Sequence, residues 1–191
     1  MKKILFVLIL ITSIVYAQEF TVTPTGLKDN ANLEKTYVVI NTPGKTAEQN
    51  YNNAIKYINK TYKSPKDVIK GDITGEYISF DTHVSDFLVV KNSGVKVVID
   101  ATYRTELSFK GDRVKFEVIN LDMHTQTPTA AGNMYVLFTG SVWSGYPIYK
   151  QKKQKLIRPE TKTDIEVYFN NTINTIKGYL LEEVKVTDDD W

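Results

Sequence analysis

Apolar and polar positions alternate most strictly along residues 95–110. One parity carries Val95, Val97, Ile99, Ala101, Tyr103, Thr105, Leu107 and Phe109; the other carries Lys96, Val98, Asp100, Thr102, Arg104, Glu106, Ser108 and Lys110. A period of two predicts a long strand with one buried and one wet face. Gly111-Asp112 suits a two-residue hairpin loop with glycine first, which sets Phe109 opposite Val114, Leu107 opposite Phe116 and Thr105 opposite Val118. This register opposes Glu106 to Glu117, and the apolar positions then jump to Ile119, Leu121 and Met123. A β-bulge near Val118 and Ile119 is therefore expected.

The pattern changes period twice. Ala47, Tyr51, Ala54, Ile55, Ile58 and Tyr62 recur at helical spacing, with Thr46 and Gln49 as a capping box, Asn52, Asn53 and Lys56 on the opposite face, and Ser64-Pro65 as the stop. Ile165, Phe169, Ile173, Ile176 and Leu180 form a second stripe, with Thr163 and Glu166 reading as its capping box. Residues 36–41, 68–73, 76–80 and 84–90 are short strand candidates. Residues 134–138 and 141–149 read as an edge strand or a packed loop inside the weakly patterned stretch 125–160. Residues 18–35 are rich in turn formers and read as a loosely held polar leader; 188–191 form a polar tail. Residues 36–187 then make one domain. Its economical packing is a two-layer α+β sandwich, an antiparallel sheet with two helices on one face and charge on the other.

Residues 1–17 have the layout of a cleavable secretory signal: Lys2 and Lys3, an apolar run from Ile4 to Val15, then Ala17 before Gln18. The run is shorter than the roughly 20 residues a membrane span needs, so cleavage between Ala17 and Gln18 is expected to leave a soluble chain of 174 residues. No cysteine is present, which excludes lipoprotein anchoring, disulfides and thiol chemistry. The full chain has 24 basic and 22 acidic residues, and loss of Lys2 and Lys3 balances it. A nucleic-acid partner is not expected from such a balance. The expected location is periplasmic or secreted.

The signal segment, the strand ending at Asn41 before Pro43-Gly44, the Tyr/Ile-rich helix, and Ser64-Pro65-Lys66-Asp67-Val68-Ile69 recur together in a known pattern. With the 95–118 hairpin and a closing helix containing Glu166-Val167-Tyr168-Phe169-Asn170, the chain resembles exported bacterial proteins carrying domain of unknown function 4468, described as TBP-like. The resemblance spans about residues 36–183 and implies a fold. It carries no catalytic, cofactor-binding or metal residues.

Candidate chemistry is sparse. His83 and His124 lie near Asp81, Asp86 and Asp122, so an acid-base or metal pair requires the two histidines to converge. Arg104 and Asp100 on the wet face read as register-setting charges or as ligand contacts. Trp143, Tyr146 and Tyr149, around Gly145 and Pro147, read as partner contacts or as packed core residues. Lys150, Lys152, Lys153 and Lys155 form the densest basic run, either a solvated loop or a contact for an anionic head group or polymer. No nucleophile or phosphate-loop motif is present, and no cofactor is indicated. The expected function is binding of an unidentified envelope protein or small ligand, without catalysis. The alternatives are an envelope hydrolase or metal-dependent enzyme using His83 and His124, and a carrier holding an apolar ligand between helices and sheet.

Overall fold

The computed structural model describes residues 19–127 and 132–182; the signal segment, its Ala17–Gln18 junction and the polar tail lie outside the described residues. In chain order the elements are β1 (Phe20–Thr23), β2 (Gly26–Asp29), β3 (Tyr37–Asn41), α1 (Ala47–Thr61), α2 (Pro65–Val68), β4 (Ile69–Ile73) and β5 (Tyr77–Asn92). They continue with β6 (Val95–Lys110), β7 (Arg113–Thr125), β8 (Tyr135–Gly140), β9 (Gly145–Lys150) and α3 (Pro159–Leu181). A seven-stranded sheet runs β4-β5-β6-β7-β8-β9, and β3 shares the outer edge of β7 with β8. The expected α+β sandwich is present, with two corrections. The sheet is mixed, because β8 and β9 run parallel. A third, short helix, α2, takes Pro65–Val68, where proline at the first helical turn suits a helix better than a strand.

The central hairpin has the expected register: Phe109 opposes Val114, Leu107 opposes Phe116 and Thr105 opposes Val118, around Gly111 at φ 58°. Ile99, Ala101, Tyr103, Leu107 and Phe109 are buried, but Val95 is exposed because it sits at the far hairpin tip beside Ser93-Gly94. The bulge falls slightly beyond its expected place. Arg104 pairs with Ile119 and Thr102 with Asp122, so Asn120 and Leu121 together face Tyr103, and Asn120 takes φ 53°. The two strand candidates 76–80 and 84–90 are one strand, β5, broken in register between Val84 and Leu88. There Asp86, at φ 55°, donates its backbone N–H to Asp100 Oδ1 at 3.0 Å.

Both long helices cover the apolar face. The α1 capping box forms as the sequence predicts. Tyr51, Ala54 and Ile58 of α1, with Ile165, Phe169, Ile173, Ile176 and Leu180 of α3, close over Ile78, Phe80, Ile99 and Leu107. Each such large apolar side chain gains about 1.5–3 kcal/mol by leaving water. Asn53 is also buried, not solvent-facing. Its Nδ2 donates to Leu180 O at 3.1 Å and Glu182 O at 3.3 Å, satisfying carbonyls at the end of α3.

The polar leader is corrected most. β1 and β2 form a hairpin that buries Phe20, Val22 and Leu27. It is clasped by α3, which begins a turn earlier than Thr163 because Pro159 occupies the first helical position. Glu166, freed from capping, accepts from Thr21 Oγ1 at 2.7 Å, from the Val22 N–H at 2.8 Å and from Lys162 Nζ. Asn170 both accepts from the Phe20 N–H (2.7 Å) and donates to Phe20 O (3.1 Å), pairing with β1 as a neighbouring strand would.

Burial alone would raise the Glu166 carboxyl, but hydrogen bonds from Lys162, Thr21 and the Val22 backbone hold it below its ordinary value. A depressed carboxyl contributes stability above the unfolded value of about 4.3, and that contribution is lost as pH falls through the folded value. Acidification to about pH 3 should therefore weaken hairpin docking. Urea unfolding of the wild type and Glu166→Gln at neutral and acid pH checks this: the variant should lose less stability on acidification, and equal losses would remove Glu166 from the account.

Candidate functional site

Helices cover one face of the sheet; α1 and α3 leave the other open. Its side chains follow from the register. Asp81 and His83 of β5, Arg104, Thr102 and Asp100 of β6, and Asp122 and His124 of β7 share this face. Arg104 grips Asp81 with two bonds, Nε to Oδ1 at 2.6 Å and Nη2 to Oδ2 at 3.1 Å. The guanidinium, despite partial burial of the carboxylate, holds Asp81 below its ordinary value, with Lys70 adding to the effect. The opposed Glu106 and Glu117 each have separate donors: Tyr77 OH reaches Glu106 at 2.8 Å, while Lys115 Nζ (2.7 Å) and Thr36 Oγ1 (2.5 Å) reach Glu117. Like charges across the strands are thereby tolerated.

Where α2 and β4 rise beside this face, they leave a cleft of about 400 Å³. Asp67, Lys70, Asp81, His83, Arg104 and Asn120 contribute its polar lining. Asn120 reaches it because of the β7 bulge. The four formal charges, two acids and two bases, cancel. Such a site suits a polar or zwitterionic group better than a polyanion. Asp67, Lys70 and Asn120 escape sequence reasoning, since each is an ordinary surface residue until the turn and bulge bring it to the cleft.

The histidines do not share a site. His83 opposes Thr102 and His124 opposes Asp100, on strands either side of β6. Two strand spacings and a two-residue offset put their Cα atoms about 12 Å apart. His124 Nδ1 instead lies 2.7 Å from Asp122 Oδ1, and His83 Nε2 lies 3.3 Å from Ser85 Oγ. Among the described residues no three of His, Asp and Glu gather as a metal-ligand set.

The aromatic group separates. Trp143 is 93% exposed, whereas Tyr146 and Tyr149 are buried, so only Trp143 keeps the reading of a surface contact. Tyr149 OH donates to Val22 O at 2.8 Å, holding the first hairpin, and its burial raises its phenol above the ordinary value. Tyr146 lies under Arg158, 5.5 Å from ring to guanidinium. Both sit on β9, which can lie against β8 only because Gly145 lacks a Cβ: an added one would fall 2.3 Å from Tyr135 O. Tyr146→Ala should accordingly cost about 3 kcal/mol in chemical denaturation, and Trp143→Ala within about 0.5 kcal/mol. Comparable losses would contradict the assignment.

No protein-family model matches the chain, and no curated protein sequence matches it. Two crystal structures share its fold. One is a DUF4468 family protein from Bacteroides ovatus, 14% identical, with TM-score 0.52 over 77% of this chain and 85% of that one. The other is a TBP-like protein from Parabacteroides distasonis, 9% identical, with TM-score 0.52 over 75% of this chain and 90% of that one. The expected TBP-like α+β architecture is what they have in common with it. No helix among the described residues is long and apolar enough to cross a membrane.

Proposed function

We propose that this chain is an exported, non-catalytic binding domain of the bacterial envelope, and that it engages a partner or small polar ligand through the open sheet face. The observation that carries this reading is the charge-balanced cleft around the Arg104–Asp81 pair, on a face left free by both long helices. The Lys2-Lys3 segment and the apolar run after it support export. Self-neutralised charge gives a site its selectivity for geometry over net charge, since an ill-fitting occupant leaves Arg104 or Asp81 unpaired.

A photoactivatable residue at position 102, in the midst of this face, tests the proposal in cells of the host. It should capture a discrete adduct, and Arg104→Ala should abolish the capture at a stability cost of about 1 kcal/mol, because the pair is still partly exposed. The same probe at Asn171, on the solvent side of α3, should capture nothing specific. Identical patterns at both positions, or none at 102, would sink the proposal.

A further inference from the structure

Between Asp122 and Glu160 the chain has no acidic residue, yet it carries Lys150, Lys152, Lys153, Lys155 and Arg158. In a chain of otherwise balanced charge this is a strong local bias. The fold concentrates it. The Lys150 N–H donates to Lys155 O at 2.9 Å, closing residues 150–155 into a tight turn at the end of β9. The Gln151 N–H then reaches Gly140 O at 3.3 Å, which ties that turn to the end of β8. From the same end of β8 departs the segment 141–144. It is folded on itself by Ser144 N–H to Ser141 O (3.0 Å), Ser144 Oγ to the same carbonyl (2.8 Å) and Trp143 N–H to Ser141 Oγ (3.3 Å).

The two turns put unlike surfaces side by side. Trp143 is 93% exposed and Val142 55%, and Leu156, bridged to Tyr149 at the base of the lysine turn, is 36% exposed. The four lysines are exposed and make no ion pair among the described residues. Arg158 is occupied elsewhere, donating to Lys91 O and Asn92 Oδ1, so the free charge belongs to the lysines. Trp143 and Val142 are consecutive and exposed, so together they offer an apolar tip beside the lysine turn.

We propose that this end of the β8–β9 pair is a peripheral docking surface for an anionic phospholipid membrane. Trp143 and Val142 enter the head-group boundary, where tryptophan is preferred, and the lysines meet the anionic head groups while their methylene stems lie along the apolar boundary. A soluble polyanion would use the lysines and leave the two apolar side chains without a role.

The test uses residues 18–191 with Trp191→Phe, which leaves Trp143 as the only tryptophan. Vesicles of phosphatidylcholine containing phosphatidylglycerol should sediment the protein and shift Trp143 emission to the blue, weakening as salt rises; phosphatidylcholine alone should do neither. The double reversal Lys152→Glu/Lys153→Glu should weaken binding at least about twenty-five-fold, at roughly a factor of five or more per lysine. Trp143→Ala should also reduce sedimentation while its circular dichroism stays that of the parent. The proposal is overturned by absence of binding at low salt, by binding with Trp143 emission unmoved, which marks a lysine-polyanion contact only, or by Trp143→Ala sedimenting as the parent does.

Discussion

Phe169→Ala is expected to lower the unfolding free energy by about 3–5 kcal/mol, the range for removing a fully enclosed ring. Phe169 has no exposed surface and sits where the helical layer meets the sheet, with ring centroids 5.1 Å from Tyr103, 5.2 Å from Tyr168 and 6.1 Å from Phe87. Tyr103 and Tyr168 are further joined hydroxyl to hydroxyl at 2.9 Å. Burial raises the Tyr103 phenol far above its ordinary value. Because the floor of the site is a hydrogen-bonded sheet, the walls cannot collapse into the space, and the cavity contribution persists. Equilibrium urea denaturation should show the midpoint fall at constant slope. A loss below about 1 kcal/mol would mean that helix and sheet repack freely, contrary to the interlocked layer described.

Phe20→Ala should produce a comparable loss, about 3–5 kcal/mol, with a different signature. Phe20 is 2% exposed and lies 5.9 Å from the Phe116 ring. The first hairpin is further held by Glu166 on Thr21 and Val22, by the Asn170 pairing, by Tyr149 OH to Val22 O, and by Thr139 Oγ1 to Pro24 O at 2.6 Å. Most of these are polar bonds at the molecular margin, so removal of the apolar anchor should let the hairpin open while the seven-stranded sheet stays closed. Native-state hydrogen exchange should then show β1 and β2 amides exchanging well before those of β6. Uniform protection in the variant would show that hairpin and sheet open only together.

These two sites also show what the residues announce and what they conceal. The β6–β7 register was legible because strict alternation and Gly111 act locally, and the α1 start because Thr46 and Gln49 satisfy their own turn. The first hairpin was not, because β1 and β2 carry few apolar residues each and are held by Glu166 and Asn170, polar residues off the apolar stripe of α3. The same ambiguity hid Asn53, whose burial depends on carbonyls far along the chain. Thr163 and Glu166 have capping-box spacing, but Pro159 starts the helix earlier and gives Glu166 another task. In the candidate site, Arg104 was legible as a wet-face charge. Its pairing with Asp81 required the register of two strands, and the cleft required the β7 bulge.

The distance in sequence between the first hairpin and its clasp has a kinetic meaning. Phe20 and Asn170 are 150 positions apart, and β3 must wait for β7 before it can pair. A ribosome or translocon delivers the amino-terminal end first, so β1 and β2 emerge with their apolar side chains bare and must remain so until α3 has followed as far as Asn170. Contacts of such long range slow the final closure. The interval is when an unfolded-chain chaperone or a protease meets this protein, and the hairpin is the segment it meets longest.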